Sequence, residues 1–167
     1  MRPWTYADLP CVEWATHDAG LIDGTTLPPA YTPEEGRAWI ERQWSRQRDG
    51  EGLSLAVVDS PTDQAVGAAV LLLRPQLGSA GVGYWLLEYA RGAGRASRAV
   101  DLLTRWALTH GGLARVEALV EPDNAPSQRL LERVGFHYEG RLRSYLTLRG
   151  GRHDAFIYSR LATDLTH

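Results

Sequence analysis

The stretch "LLEYARGAGRASRAVDLL", residues 86–103, decides the fold, because an apolar predicted strand becomes a predicted helix within it. A simple connection between a strand and a helix needs one glycine, and this one has two, with alanines beside them. The junction consists of small residues and two arginines: Arg91, Gly92, Ala93, Gly94, Arg95 and Ala96. Unhindered main chain next to positive charge at a helix start suits a phosphate-bearing ligand.

The composition indicates one globular domain over residues 1–167. This length is sufficient to bury a core, and 44% of the residues are hydrophobic and 23% charged. The net charge of −2 gives no basic surface for general nucleic-acid binding. No apolar run approaches the roughly 20 residues that span a bilayer. The N-terminus also lacks the apolar segment of a signal peptide. The net charge therefore argues against a nucleic acid as a partner, and the missing apolar segments argue against a membrane.

Three residue types narrow the chemistry further. All 18 basic residues are arginine, which excludes a P-loop lysine and a lysine Schiff base. The single cysteine, Cys11, cannot form an internal disulfide, and this predicts a cytoplasmic location. The five histidines have no metal-ligand spacing, so no metal is predicted.

Helical and strand patterns alternate along the chain and predict an α/β (α+β) domain built on one mixed sheet. Thr32, Pro33 and the two acids that follow are typical of a helix start. Helices are predicted over 5–18 with a break near Pro10, 33–49, 94–110 and 124–135. Strands are predicted over 53–60, 64–74, 80–89, 114–121, 136–150 and 151–162.

The junction at residues 91–97 can be interpreted in three ways. Gly92-x-Gly94-x-x-Ser97 is close to the dinucleotide pattern G-x-G-x-x-G, but that pattern opens a nucleotide-binding unit and here it lies past mid-chain. A tight glycine turn with solvated arginines is the purely structural alternative. The third pattern, Arg91-x-x-Gly94-x-Ala96, resembles the acyl-CoA signature Q/R-x-x-G-x-G/A of the GCN5-related N-acetyltransferases, the GNAT superfamily.

The resemblance extends on both sides of the junction. "GVGYWLLEYARGAG", 81–94, is similar to the family's fourth strand and pyrophosphate loop. "EPDNAPSQRLLERVGFHYEGRLR", 121–143, is similar to a later strand, an Asn-x-x-Ser helix and its closing Gly-Phe. The RimJ/RimL-like branch is the nearest match. The resemblance implies a GNAT-like mixed, mostly antiparallel sheet of about six to seven strands flanked by about four helices, with a splayed strand pair binding acyl-CoA.

The family reaction implied by this resemblance is direct transfer of an acetyl group from acetyl-CoA to an amine, in a ternary complex and without a metal. Main-chain amides from about Trp85 to Leu87 would stabilise the oxyanion. The cofactor-binding residues implied are Trp85, Leu86, Leu87, Arg91, Gly92, Ala93, Gly94, Arg95, Ala96, Asn124 and Ser127.

The resemblance also implies catalytic residues. Glu88 at the end of the fourth-strand match is the candidate general base, although a solvated carboxylate is the alternative. The tyrosine acid of many relatives is replaced by Leu131, so Ser127 is the candidate donor to the departing sulfur. Asn124 would contact pantetheine or cap its helix. A strand glutamate known in the branch is missing here near Tyr145.

Acids and aromatic residues are concentrated in the segments that border the acceptor in this family. Carboxylates attract a cationic amine and aromatic rings contact it, but the same aromatic residues could simply fill a core. The candidate substrate-binding residues are Trp14, Asp18, Asp23, Tyr31, Trp39 and Tyr145.

The sequence therefore predicts an acetyl-CoA-dependent N-acetyltransferase. Its acceptor would be a primary amine, either a protein N-terminus or a small molecule such as an antibiotic or a metabolite. Three alternatives stay open: another donor such as succinyl-CoA, a non-catalytic acyl-CoA sensor, and a nucleotide-dependent oxidoreductase. A homodimer is common in the branch and is a further expectation.

Overall fold

The structure is a computed structural model, and it describes residues 1–148 and 150–165. Its helices are α1 (Leu9–Ala15), α2 (Ala19–Ile22), α3 (Pro33–Arg48), α4 (Arg95–Thr109) and α5 (Ala125–Arg133). Its strands are β1 (Gly52–Asp59), β2 (Gln64–Arg74), β3 (Ser79–Leu86), β4 (Arg115–Val120), β5 (His137–Leu148) and β6 (Gly151–Leu161). Short 3-10 turns cover Tyr6–Asp8, Pro75–Leu77, Glu88–Ala90 and Ala162–Leu165.

The described strands form one six-stranded sheet in the order β1-β2-β3-β4-β6-β5. β3 and β4 are parallel, whereas β6 is antiparallel to both β4 and β5. The chain divides into two compact units. The first contains residues 1–70 and 84–96, and the second contains 71–83 and the described residues from 97 onward. The predicted mixed sheet and its α/β class are confirmed.

The predicted elements appear close to their expected positions, with one clear difference. The segment 5–18, predicted as one interrupted helix, forms a 3-10 turn followed by α1, and α2 then starts separately. Asp18 begins α2 by accepting the Gly20 N–H on Oδ1 at 3.0 Å. An aspartate side chain readily accepts such local bonds, which favours a helix start over helix continuation. Arg149, within the predicted strand 136–150, lies outside the described residues.

Tryptophans form much of the core of the first unit. The rings of Trp4 and Trp39 meet edge to face with centroids 4.9 Å apart, and the Trp85 ring lies 6.3 Å from Trp4 and 6.4 Å from Trp39. Cys11 is buried in the same cluster. Burial disfavours the thiolate and raises the pKa of Cys11 to about 12. Through these ring contacts, β3 packs against α3 and against the N-terminal segment.

The second unit follows the predicted helical and strand periodicities. α4 buries a stripe of residues at three- and four-residue spacing, and alternate residues of β4 are buried. Glu139 on β5 accepts hydrogen bonds from Arg115 on β4 and, at 2.7 Å, from the Ser159 hydroxyl on β6. These bonds to Arg115 and Ser159 lower the pKa of Glu139 to about 2. The stripe on α4 is Ala99, Val100, Leu103, Thr104, Ala107 and Leu108.

Among residues 1–148 and 150–165, no helix has both the length and the apolar character to cross a bilayer.

Candidate active site

At the end of β3, main-chain groups rather than side chains are the candidate contacts for a ligand. The side chains of Trp85, Leu86 and Leu87 are all buried. The Leu87 N–H donates to the Val66 carbonyl at 2.9 Å. The Leu86 carbonyl accepts the Arg91 Nε–H at 3.0 Å. Of the three amides predicted to face an oxyanion, that of Leu87 therefore donates to β2 instead, and the roles of Trp85 and Leu86 stay a prediction.

A glycine in β2 allows β3 to approach closely. A Cβ on Gly67 would lie 2.2 Å from the Trp85 carbonyl oxygen and 2.9 Å from the Leu86 Cα. Real Cβ atoms do not occupy such positions, so any side chain at 67 would move the β3 backbone. Gly67 thus sets the position of the main chain predicted to stabilise the oxyanion.

The junction after β3 has the backbone that its glycines predict. Gly92 is exposed and Gly94 is half-buried, and their φ values of +86° and +71° lie in the left-handed region that costs other residues roughly 1–2 kcal/mol. α4 begins directly afterwards at Arg95. The first turn of a helix presents N–H groups without intrahelical acceptors and the positive end of the dipole. This geometry suits a pyrophosphate.

Both arginines of the junction are held by aspartates of the first unit. Arg91 donates from Nη2 to Asp18 Oδ2 at 2.7 Å. Arg95 donates from Nη2 to Asp59 Oδ1 at 2.5 Å and from Nη1 to the Ala90 carbonyl at 3.4 Å. The sequence predicted both as phosphate ligands and did not identify Asp59, which is far away in the chain and has no motif to mark it.

The pairing of β3 with β4 is short. Its register runs from Ser79↔Arg115 to Gly81↔Glu117. β3 itself continues to Leu86, while β4 continues to Val120 in register with β6. The splayed strand pair that the resemblance implies for acyl-CoA stays a prediction.

The Asn-x-x-Ser segment begins α5 in the second unit. The Asn124 side chain caps the helix, because its Oδ1 accepts the Ser127 N–H at 3.1 Å. Leu131, at the position of the family's tyrosine acid, is fully buried. A packed leucine cannot donate a proton, so any acid must come from another residue.

Glu88 lies where the sequence analysis placed it, directly after the strand. It opens the 3-10 turn Glu88–Ala90, its side chain is exposed, and its carbonyl accepts the Arg91 N–H at 3.1 Å. An exposed carboxylate at this point can exchange protons with water. Its role as general base stays a prediction.

The residues predicted for the acceptor side have different environments. Trp14 and Tyr145 are exposed to 65% and 51%, and Asp23 is also exposed. Tyr31 packs against the core of the first unit. Asp18 is engaged with Arg91. Trp39 is only 2% exposed and packs in the tryptophan core, so the structure assigns it packing rather than substrate contact.

A bulge in β5 presents Tyr145. The register of β5 and β6 shifts between Leu142 and Leu146, and Ser144 has φ of +51°. Asp154 holds this conformation by accepting the Ser144 N–H on Oδ1 at 2.7 Å and the Arg141 guanidinium on Oδ2. The bonds from Ser144 and Arg141 lower the pKa of Asp154. Sequence periodicity gave no sign of this bulge.

The family model described as Acetyltransferase (GNAT) domain matches residues 1–137. The chain belongs to the GNAT acetyltransferase family. The N-acetyltransferase p20 of Bacillus licheniformis is 30% identical over 156 residues, which are 93% of this chain and 86% of p20. The predicted family and enzyme class, an N-acetyltransferase, are therefore confirmed.

Solved structures share the fold of this GNAT chain. Mycobacterium smegmatis RimJ, in complex with CoA-disulfide, superposes with a TM-score of 0.87 at 24% identity, covering 99% of this chain and 83% of that one. Ribosomal-protein-S5-alanine acetyltransferase from Vibrio fischeri has a TM-score of 0.81 at 22% identity, with 99% and 94% covered. The resemblance to the RimJ/RimL-like branch is thus confirmed at the level of the fold.

Proposed function

We propose that the enzyme transfers the acetyl group of acetyl-CoA to a primary amine by direct attack in a ternary complex. The observation that carries this proposal is the junction after β3. Gly92 and Gly94 both have positive φ there, immediately before the first turn of α4. Main-chain amides and the helix dipole would hold the CoA pyrophosphate, with no side chain to obstruct it.

The chemistry of acetyl transfer assigns roles to a few groups. The amides of Trp85 and Leu86 stabilise the oxyanion as the amine attacks the thioester carbon. Glu88, directly or through water, accepts the proton that the amine loses. Ser127 donates a hydrogen bond to the sulfur as the carbon–sulfur bond breaks, and CoA leaves as the thiolate, which then takes a proton from water to become the thiol.

The acceptor we favour is the α-amine of a protein. Fold neighbours include an enzyme named for acetylating an alanine of ribosomal protein S5, and the N-acetyltransferase YdaF of Bacillus subtilis, 34% identical over 80 residues, carries a ribosomal name. The exposed Trp14, Asp23 and Tyr145, together with Tyr31, are the candidate contacts for a cationic chain end. A small amine such as an antibiotic is the other class of acceptor.

The remaining predictions belong to the same proposal. A single domain over 1–167 is supported by β2, β3 and α4, each of which runs from one unit into the other. A reducing cytoplasm agrees with the unpaired thiol of Cys11. A homodimer, and the lack of nucleic-acid or membrane partners, remain expectations from the resemblance and the charge.

An acceptor screen tests the proposal. The enzyme is incubated with acetyl-CoA and a panel of peptides with free Ala or Ser N-termini, alongside small amines, and products are identified by mass. The matched control peptides are N-acetylated, which removes the reacting amine. An increase of one acetyl mass on the free peptides, together with CoA release, supports the proposal.

Other outcomes would contradict parts of it. Turnover with succinyl-CoA but not acetyl-CoA would replace the donor. CoA binding without thiol release for every acceptor would favour a sensor. Stabilisation by NAD but not by CoA would favour an oxidoreductase and refute the site assignment.

A further inference from the structure

We propose that Asp18 is a positioning residue that couples the α1–α2 segment to the pyrophosphate loop through Arg91. The inference rests on the proposed function, because it assumes that the junction at Gly92–Gly94 binds CoA. It concerns residues of the first unit only.

Asp18 uses its two carboxylate oxygens for different purposes. Oδ1 accepts the Gly20 N–H at 3.0 Å and thereby caps α2. Oδ2 accepts from Arg91 Nη2 at 2.7 Å. The carboxylate is about one-third exposed, at 32%. One side chain therefore joins the start of α2 to the first residue of the loop.

Arg91 extends the connection to the strand. Its Nε–H donates to the Leu86 carbonyl at 3.0 Å, while its Nη2 reaches Asp18. The planar guanidinium fixes both bonds in one orientation, which a flexible ammonium would not do. The α2 start, the end of β3 and the loop are thereby linked in a single hydrogen-bonded chain.

The second arginine of the loop is fixed in the same way. Arg95 pairs with Asp59 at the end of β1 and contacts the Ala90 carbonyl. Each loop arginine thus has its own aspartate. The two arginines therefore act as positioning residues that set the loop conformation.

Two candidate roles for Arg91 predict opposite effects of a change at Asp18. If Asp18 competed with phosphate for Arg91, removing its charge would release the arginine and tighten CoA binding. If Asp18 instead holds Arg91 in position, removing its charge loosens the loop and weakens CoA binding. The structure favours this positioning role, because Arg91 also donates a hydrogen bond to the Leu86 carbonyl.

The test is Asp18→Asn, which keeps a good helix cap and removes the charge. We expect CoA affinity, measured by calorimetry, to fall about two- to five-fold, the range for a partly exposed ion pair. Arg91→Gln and the double variant should lose about the same amount as Asp18→Asn. Asp49→Asn, which breaks the exposed pair with Arg48 elsewhere in the unit, is the matched control.

A second measurement separates a positioning role from a merely structural one. Amide exchange at Gly20, Leu21 and Ile22 should slow when CoA binds to the wild-type enzyme. That slowing should be lost in Asp18→Asn, while its thermal stability without CoA stays close to that of the wild type.

Distinct results overturn the two proposals. Unchanged or tighter CoA binding by Asp18→Asn, or wild-type CoA binding without slower exchange in α2, refutes the coupling alone. A wild-type protein that binds no CoA refutes the proposed function and the inference together.

Discussion

At the scale of single residues, Gly94 occupies a position whose backbone conformation requires glycine. Its φ of +71° favours glycine, and it directly precedes α4. We expect Gly94→Ala to cost about 1 kcal/mol of stability, and Gly94→Trp to abolish CoA binding by filling the loop. Calorimetric titration with CoA measures the second effect. Gly112, at the other end of α4, has φ of +67°, so Gly112→Ala should show a similar loss of stability but normal CoA affinity.

Gly67 is the second residue whose replacement has a defined consequence. A Cβ there would meet the Trp85 carbonyl oxygen at 2.2 Å, so Gly67→Ala must displace the end of β3. We expect a loss of about 1–3 kcal/mol in urea unfolding and a lower kcat, because the proposed oxyanion donors at the end of β3 would move. Gly81→Ala on β3 is the control, since its Cβ would meet only the end of the Arg74 side chain, at 3.4 Å. Equal effects of both substitutions would contradict the role of Gly67.

Substitution of Ser127 distinguishes an effect on the chemical step from an effect on acetyl-CoA binding. Its N–H, rather than its hydroxyl, takes part in the Asn124 cap, so Ser127→Ala keeps that hydrogen bond. We expect kcat to fall about 10²-fold, with little change in the KM for acetyl-CoA. Asn124→Ala should instead lower stability by about 0.5–2 kcal/mol, because it removes the cap. Parallel losses of kcat and acetyl-CoA affinity in Ser127→Ala would argue against a leaving-group role.

At the scale of elements, Glu139 makes the three strands β4, β6 and β5 sensitive to acid. Its pKa is about 2 in the folded protein, below the ordinary value of 4.5. A depressed pKa stabilises the fold above pH 4.5, and this contribution disappears as the pH falls toward 2. Because Glu139 is partly exposed, we expect Glu139→Gln to cost less than about 1 kcal/mol at pH 7.

The pH dependence provides the check. Thermal unfolding of wild type and Glu139→Gln should differ at pH 7 and converge as the pH approaches 2. Glu51→Gln, outside these strands, serves as the control. A difference that persisted unchanged at low pH would show that Glu139 acts through packing and not through its charge.

The elements also show why some positions could be predicted and others could not. Gly92, Gly94 and Ser127 belong to local patterns of known spacing, so the sequence could predict the glycine turn before α4 and the start of α5. The bulge at Ser144 depends on Asp154 of the next strand, and no short-range pattern encodes that bond. Trp39 was assigned to the acceptor because an aromatic residue on a helix face looks the same whether it meets a ligand or a core.

At the scale of the whole molecule, the order of helices and strands was predictable because hydrophobic periodicity reports local burial. The pairs Arg91–Asp18 and Arg95–Asp59 join residues far apart in the chain. Such pairs follow from the tertiary fold and not from the neighbouring residues. The loop 91–96 was therefore predictable as a motif, whereas the contacts that hold it were not.

The burial of the single cysteine has a practical consequence for measuring turnover. A thiolate is the species that attacks a chromogenic disulfide, and Cys11 is buried with a raised pKa. Native enzyme should therefore give no colour of its own near neutral pH, so that all absorbance counts liberated CoA. One extra equivalent per chain should emerge only from denatured molecules, and the same reagent would then report how much of a preparation has lost its fold.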